Sequence, residues 1–208
     1  MEKNIEDVKI RLLTPDDRDK VYQFFGIEKT KKIVLYAPTF RKDLSLKAYT
    51  IDVDRVLTAC EKKTNDEYVC LVRLHPNISS KSTQITYDDR KINASNYSDM
   101  QELLAASAVV ISDYSSLMFD FALSGKPCFQ FAVDIDEYKG DRNFYFDLSL
   151  LPFDLSTNND ELEKSILNFE QATYEKRLNA FFDEVGMVRT GDASRKVAEI
   201  IREKTEVR

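Results

Sequence analysis

Short apolar runs alternate along the chain with longer segments in which apolar residues recur every three or four positions. Four of these runs predict strands that are buried on both faces, and they span 33–37, 68–74, 108–111 and 128–131. The segments between them have the spacing of amphipathic helices. Strands that alternate with helices are typical of a doubly wound α/β fold, in which helices cover both faces of a parallel sheet.

Weaker patterns predict the remaining elements. Residues 84–87 are expected to form a short strand, whereas 148–155 are expected to be irregular. A helix is predicted to begin at Pro15 and to end at Gly26, because proline is favoured in the first turn of a helix and glycine just after the last. Another helix follows Ser194, and its apolar residues are interpreted as packing inward on the core: Val197, Ala198, Ile200 and Ile201.

The length and the charge of the chain limit the function classes. A chain of 208 residues can bury one substantial core. We divide it into a lead-in helix and linker at 1–30 and one lobe with carboxyl-terminal helices at 31–208. The net charge of −6 argues against a general nucleic-acid binder, which needs a basic surface.

Cysteine and histidine usage narrows the picture further. The three cysteines lack paired spacing, which indicates buried free thiols in a reducing compartment. A single histidine leaves a zinc site of the usual cysteine and histidine type without support. No apolar run reaches the length of a membrane span, and the first residues lack the apolar core of a signal peptide.

A polar block follows the predicted strand at 108–111 and precedes a predicted helix. It contains Ser112, Asp113, Ser115 and Ser116. Parallel sheets bind ligands at the carboxyl ends of their strands, where the free N–H groups of a helix start favour anions. Serine and aspartate are also the usual helix caps, and a cap needs no ligand. Both interpretations, phosphate binding and capping, stay open on spacing alone.

Charged residues follow two other predicted strands. Arg41 comes after a strand that Pro38 ends, and it is either a ligand-binding cation or a solvated loop charge. His75 comes directly after the next strand, and it binds phosphate, protonates a leaving group, or is an ordinary half-buried histidine. Farther along, Arg142 and neighbouring aromatic residues line a pocket for a base or a polyol, or else belong to the surface.

Several common catalytic motifs are missing from the sequence. There is no G-x-G-x-x-G after the first strand and no Walker A lysine loop, so dinucleotide and P-loop functions lose their main support. There is no G-x-S-x-G either, and a hydrolase triad is unsupported. No spacing demands a metal site, although acidic residues near the strand ends allow a divalent metal without requiring one.

Three strings together resemble one family: 33–41 (IVLYAPTFR), 71–76 (LVRLHP) and 111–122 (ISDYSSLMFDFA). This is the CDP-glycerol glycerophosphotransferase family, which includes teichoic acid polymerases and primases. The segments 142–147 and 191–197 also look like family segments. The resemblance implies a GT-B architecture, in which a cleft separates two Rossmann-like lobes, and this chain resembles the carboxyl-terminal, donor-binding lobe.

The resemblance implies a role for each matching residue. His75 is expected to contact the pyrophosphate of the donor and to assist the departure of CMP. The polar block at 112–116 matches the phosphate-holding block of the family, with serine at 112 where threonine is frequent. Arg41 is expected to reach the donor phosphate, and Arg142 is a weaker match. The family's catalytic base looks like a second histidine in the amino-terminal lobe, and this chain has no second histidine.

The function implied by the resemblance is transfer of a polyol phosphate from CDP-glycerol, or a similar CDP-linked polyol, to a teichoic-acid or capsule-type polymer. The expected partners are the donor, a lipid-linked polymer acceptor, and an amino-terminal lobe or partner chain. We expect the protein to be cytoplasmic and to reach the inner face of the membrane through parts that lie outside this sequence. Two alternatives stay open, namely a nucleotide-sugar glycosyltransferase lobe and a non-catalytic interaction module.

Overall fold

The computed structural model describes residues 15–141, 146–187 and 192–205. Within these ranges six strands form one sheet, in the order β3-β2-β1-β4-β5-β6, and every neighbouring pair is parallel. The strands are β1 (Lys32–Tyr36), β2 (Tyr68–Val72), β3 (Lys91–Asn93), β4 (Val109–Ser112), β5 (Cys128–Phe131) and β6 (Asp154–Ser156). The predicted α/β class with a parallel, helix-flanked sheet is confirmed.

Helices connect the strands and follow the last of them. They are α1 (Pro15–Phe25), α2 (Val53–Thr64), α3 (Met100–Ala106), α4 (Leu117–Ala122), α5 (Ile135–Asp141), α6 (Asn159–Leu167), α7 (Gln171–Glu184) and α8 (Ala193–Thr205). Two 3₁₀ segments span Pro76–Gln84 and Leu148–Leu150. Among the residues that the structure describes, no helix is long and apolar enough to cross a membrane.

The strand order creates a switch point between β1 and β4. The chain adds β2 and β3 on one side of β1 and then returns to place β4 on the other side, where Val34 pairs with Val109. At such a point the loops that follow the two central strands leave in opposite directions and open a crevice at the carboxyl edge of the sheet. The fold therefore places the loops after β1 and β4 beside the same crevice.

Two apolar cores lie on the two faces of the sheet, because successive side chains of a strand point in opposite directions. Ile33 and Leu35 face the core that α1, α3, α4 and α7 cover, and we call this the α3–α4 face. Val34 and Tyr36 face the core that α2 and α6 cover, the α2–α6 face. The buried thiols predicted from the sequence are confirmed, since all three cysteines are free and buried.

The lead-in helix is attached to the same core. Helix α1 begins at Pro15, as the sequence predicts, and buries Val21 and Tyr22 on the α3–α4 face. Gly26 follows the helix with a φ of 65°, a left-handed conformation that glycine adopts without strain. The division of the chain at residue 30 stays a prediction.

The two edge strands differ from the sequence prediction. A strand at 84–87 is wrong, because the 3₁₀ segment ends at Gln84 and the strand lies at 91–93. The expectation of an irregular segment at 148–155 is also wrong in part, because β6 begins at Asp154. Edge strands are often short and polar, so the apolar runs that reveal central strands are absent from them.

The inward packing predicted for the last helix is wrong. In α8, Val197, Ile200 and Ile201 are 55%, 56% and 58% exposed. The helical spacing correctly identifies an apolar stripe, but spacing does not reveal what covers the stripe. Helices α1, α3, α4 and α7 already cover one face of the sheet, and α2 and α6 cover the other.

The contrast between α7 and α8 predicts different costs for truncating their apolar side chains. Leu178 in α7 is 3% exposed, so Leu178→Ala should lower the free energy of unfolding by about 2–5 kcal/mol through lost burial and a new cavity. Ile200→Ala in α8 should change it by less than about 0.5 kcal/mol. Urea unfolding followed by circular dichroism measures both. Equal losses would mean that the apolar stripe of α8 is covered in solution.

Candidate functional site

The candidate residues that the structure describes lie beyond the carboxyl ends of three neighbouring strands. Arg41 follows β1, His75 follows β2, and Ser112 ends β4 just before Asp113. The sheet order β2-β1-β4 makes these strand ends adjacent. Arg142 lies outside the described residues, so its predicted role has no structural test.

Asp113 joins the loops that follow β1 and β4. Its side chain is 2% exposed, and its Oδ1 accepts hydrogen bonds from the backbone N and the Oγ1 of Thr39, at 2.8 and 2.6 Å. The backbone N of Tyr114 donates to the same oxygen at 2.7 Å. The other carboxylate oxygen pairs with Nη2 of Arg41 at 2.9 Å. Asp113 is therefore a buried connector, and the site role predicted for it stays a prediction.

Each nitrogen of the Arg41 guanidinium has a protein partner. Its Nε and Nη2 bind the two carboxylate oxygens of Asp134 at 2.5 and 2.9 Å, and its Nη1 donates to the carbonyl of Thr39 at 2.5 Å. Burial alone would lower the pKa of Arg41, but the hydrogen bonds and charges of Asp134 and Asp113 outweigh it and raise the pKa. The predicted contact with donor phosphate stays a prediction, and it would require Arg41 to exchange one of these partners.

Aromatic rings surround the guanidinium of Arg41. The rings of Tyr114 and Tyr138 stack with their centroids 3.7 Å apart, and the Cζ atom of Arg41 lies 5.1 and 5.2 Å from them. Tyr114 also donates its hydroxyl to Oδ1 of Asp134 at 3.0 Å. Burial is the main cause that raises the pKa of Tyr114, and the charge of Asp134 adds to it. These contacts hold the start of α5 against the loops after β1 and β4.

The three serines of the polar block have different surroundings. Ser112 is fully buried and donates its hydroxyl to the carbonyl of Ala37 at 2.7 Å, which ties the end of β4 to the end of β1. Ser115 is half-buried, and its Oγ accepts a long hydrogen bond of 3.4 Å from the backbone N of Leu117. Ser116 is exposed at the start of α4, and its side chain makes no capping hydrogen bond. Phosphate binding by these serines stays a prediction.

His75 is half-buried at the start of the 3₁₀ segment that follows β2. Its Nδ1 accepts a hydrogen bond from the backbone N of Asn77 at 3.2 Å. Because Nδ1 accepts, the neutral imidazole carries its proton on Nε2, and Nε2–H can donate a hydrogen bond. The ring lies 4.5 Å from that of Phe40, the residue before Arg41. The structure thus brings together the strand ends that the sequence singled out.

An open cavity of about 630 Å³ lies beside Arg41, between the loop after β1 and the start of α5. Phe40 and Tyr138 supply aromatic walls, Lys42 and Lys47 supply positive charges, and Glu137 supplies a negative charge. Its volume falls in the usual range of small-molecule sites. Among the described residues, no cluster of three histidine, cysteine, aspartate or glutamate side chains is placed to hold a metal ion.

Sequence reasoning missed the residues that hold the site together. Asp134 and Arg41 are 93 positions apart, so no local pattern connects them. Tyr114 and Tyr138 were visible only as parts of longer strings. Thr39 follows Pro38, just after β1, and this position at a strand end was the one signal in the sequence for its polar contact with Asp113.

The ion pairs of Arg41 predict how Asp134→Asn changes stability. The free energy of unfolding of the variant should be lower by about 3 kcal/mol, because Arg41 stays buried with one carboxylate partner fewer. Burial raises the pKa of Asp134, but the hydrogen bonds and charge of Arg41 prevail, and its pKa lies below the ordinary value. The contribution of Asp134 is therefore present above about pH 4 and is lost as the pH falls through the lowered pKa.

Urea unfolding at a series of pH values measures this loss. The gap between the wild type and Asp134→Asn should be full at pH 7 and should shrink below about pH 4. Asp136→Asn, at an exposed position on α5, is the matched control and should stay within about 0.5 kcal/mol of the wild type. A gap that does not change with pH would show that the Asp134 carboxylate has no preferential contact with Arg41.

Known proteins share this sequence and fold. The chain is 35% identical over 189 residues to a teichoic acid poly(glycerol phosphate) polymerase of Staphylococcus epidermidis, which covers 88% of this chain and 26% of that protein. It is 31% identical over 194 residues to a teichoic acid poly(ribitol-phosphate) polymerase of Bacillus spizizenii, with 88% and 30% covered. The chain thus spans less than a third of the length of these two relatives.

A solved structure of the wall teichoic acid polymerase TagF matches with a TM-score of 0.70 and 32% identity, over 96% of this chain and 50% of that one. A variant of TagF soaked with CDPG matches with a TM-score of 0.71. The fold expected from the resemblance, one Rossmann-like lobe of a GT-B architecture, is confirmed by these matches.

The family expected from the sequence is confirmed as well. The model of the family described as CDP-Glycerol:Poly(glycerophosphate) glycerophosphotransferase matches residues 10–203. This range includes the loop after β1, the His75 loop and the polar block after β4. The chain therefore belongs to the CDP-glycerol:poly(glycerophosphate) glycerophosphotransferase family.

Proposed function

We propose that this chain is the donor-binding lobe of a transferase that moves a polyol phosphate from a CDP-linked polyol to a teichoic-acid-type polymer. The observation that carries the proposal is the position of His75 at the carboxyl end of β2, the strand next to β1, where its Nδ1 accepts a backbone N–H and leaves Nε2 as a donor. Ligands bind in such crevices of open parallel sheets. Relatives that act as glycerol-phosphate and ribitol-phosphate polymerases leave the polyol open within this class.

The described residues divide into a scaffold and a set of donors. Asp113 and Arg41 form the scaffold, because their polar atoms are bound to other protein groups. Ser115 and Ser116 offer hydroxyls at the start of α4, where a phosphate would accept hydrogen bonds. The cavity beside Arg41 accommodates the nucleoside, with aromatic walls suited to stacking on a base.

The reaction is one displacement at phosphorus. The acceptor hydroxyl oxygen forms a bond to the phosphorus that carries the polyol, and the phosphoanhydride bond to CMP breaks. Negative charge develops on the departing phosphate, where Nε2–H of His75 donates a hydrogen bond. The proton of the acceptor hydroxyl goes to a base outside this chain. Positioning and charge neutralisation supply most of the acceleration in such transfers.

The complete enzyme needs an acceptor side. We propose that an amino-terminal lobe or partner chain supplies it, together with the base that deprotonates the acceptor. The acceptor is a lipid-linked polymer, and the chain therefore works in the cytoplasm at the inner face of the membrane.

Calorimetric titration of the chain with CDP-glycerol and with CMP tests donor binding. The wild type should bind both with saturation. His75→Ala and Ser116→Ala should each weaken binding by about 10- to 100-fold, the usual effect of losing one hydrogen bond to a charged group. Thr58→Ala removes an exposed hydroxyl from α2 and should leave binding unchanged. Preference for UDP-sugars would favour a glycosyltransferase lobe, and no binding of any nucleotide would favour an interaction module.

Turnover tests the role of His75. In a transfer assay that contains the chain and the polypeptide that supplies the acceptor side, His75→Ala should lower the rate by ~10²-fold or more, because the charge that develops on the leaving phosphate loses a hydrogen-bond donor. His75→Gln keeps a side-chain N–H and should retain more of the rate than His75→Ala. Rates of His75→Ala within a few-fold of the wild type would refute the assignment.

A further inference from the structure

Arg73 is a buried arginine without a protein partner for its charge. It follows β2 directly and is 9% exposed. Its Nη1 atom is buried and has no hydrogen-bond partner. Among the described residues, no carboxylate forms an ion pair with its guanidinium. The backbone N of Arg73 donates to the carbonyl of Tyr36 at 2.9 Å.

The charge of Arg73 makes this arrangement costly. Burial lowers its pKa, and the charge of Asp99 opposes this effect without forming a hydrogen bond to the guanidinium. Both hydrogen bonds that Asp99 is seen to accept come from the first turn of α3, at 2.7 and 3.2 Å. A guanidinium stays protonated in proteins, so Arg73 cannot relieve the cost by losing its proton. Buried cations are normally paired, and an unpaired one destabilises the fold.

Arg41 is a useful comparison within the same site. It too is largely buried, with 11% of its side chain exposed, but two carboxylates bind it at 2.9 Å or less. The two arginines therefore differ in pairing and not in depth. Carboxylates of the protein pair with the charge of Arg41, whereas the charge of Arg73 is left for a group outside the protein to pair with.

The strand alternation shows which side of the sheet Arg73 faces. Leu71 belongs to the core on the α3–α4 face, whereas Leu74 belongs to the core on the α2–α6 face. Side chains two positions apart point to the same side, so Arg73 lies on the α3–α4 face. Helix α4 packs on this face through Met118. His75 follows two positions after Arg73 at the same edge of the sheet.

We propose that Arg73 binds a phosphoryl oxygen of the CDP-linked donor and so supplies the positive charge that holds the diphosphate beside His75. The proposal rests on the donor-binding function proposed above and adds a residue to it. A planar guanidinium binds phosphate oxygens with two parallel N–H donors, which also orients the phosphate. The bound phosphate would be the missing partner of the buried charge.

Substitution of Arg73 separates a binding role from a structural one, because the two predict opposite changes in stability. Arg73→Met keeps an unbranched apolar stem and removes an unpaired buried charge. Its melting temperature should equal that of the wild type or exceed it by about 2–4 °C. Its affinity for CMP should be about 10- to 100-fold weaker, since a hydrogen bond to a charged group is lost. Arg73→Lys keeps the charge without the planar fork and should bind CMP with intermediate affinity.

Thermal unfolding and calorimetric titration of the whole chain measure these effects. Arg90→Met, which removes a partly exposed arginine paired with Glu61, is the matched control and should leave CMP affinity unchanged. Cytidine, which lacks a phosphate, should bind the wild type and Arg73→Met equally.

The outcomes distinguish this inference from the function on which it rests. A wild type that binds neither CMP nor CDP-glycerol would defeat the proposed function. Binding by the wild type and equal binding by Arg73→Met would overturn the role of Arg73 alone. A lower melting temperature of Arg73→Met would mean that the charge has a structural partner, and this result would also overturn the proposal.

Discussion

The ion cluster of Arg41, Asp113 and Asp134 is the interaction on which the carboxyl edge of the sheet depends. It connects the loops after β1, β4 and β5 through one guanidinium. Each of these loops leaves its strand in its own direction, and the backbone alone would not hold them together. The stacked rings of Tyr114 and Tyr138 lie against the guanidinium, and the low exposure of the three charged side chains strengthens the ion pairs. The site is therefore built on a buried electrostatic connector, and the apolar cores hold the sheet beneath it.

The charges of this cluster also indicate where an anionic donor would bind. Two carboxylates and one guanidinium give the cluster a net negative charge, so it repels a diphosphate unless one of its pairs opens. The unpaired guanidinium of Arg73 and the hydroxyls at the start of α4 lie on the α3–α4 face instead. On this argument, Arg41 is a scaffold residue and Arg73 is the cation of the donor site. The sequence suggested the opposite order, because Arg41 stood conspicuously after a proline and Arg73 stood inside an apolar run.

What the sequence predicted correctly was local or periodic. Central strands are apolar on both faces, so β1, β2, β4 and β5 were visible in the sequence as apolar runs. The edge strands β3 and β6 carry no such run, and their positions depend on pairing with a neighbour. The partnership of Arg41 with Asp134 depends on the fold as a whole. The exposure of α8 depends on the other helices, because they cover both faces of the sheet.

The geometry of phosphoryl transfer explains why one histidine is not enough for the proposed reaction. Attacking and leaving oxygens lie roughly in line on opposite sides of the phosphorus, so a group that contacts one cannot also reach the other. The Nδ1 of His75 accepts a backbone N–H, which commits Nε2 to donating, and this suits the leaving side. Accepting the proton of the acceptor hydroxyl requires a base across the phosphorus. Asp113 and Asp134 are already bound to Arg41, so neither is free to act as that base. The reaction proposed above therefore assigns the base to the acceptor side.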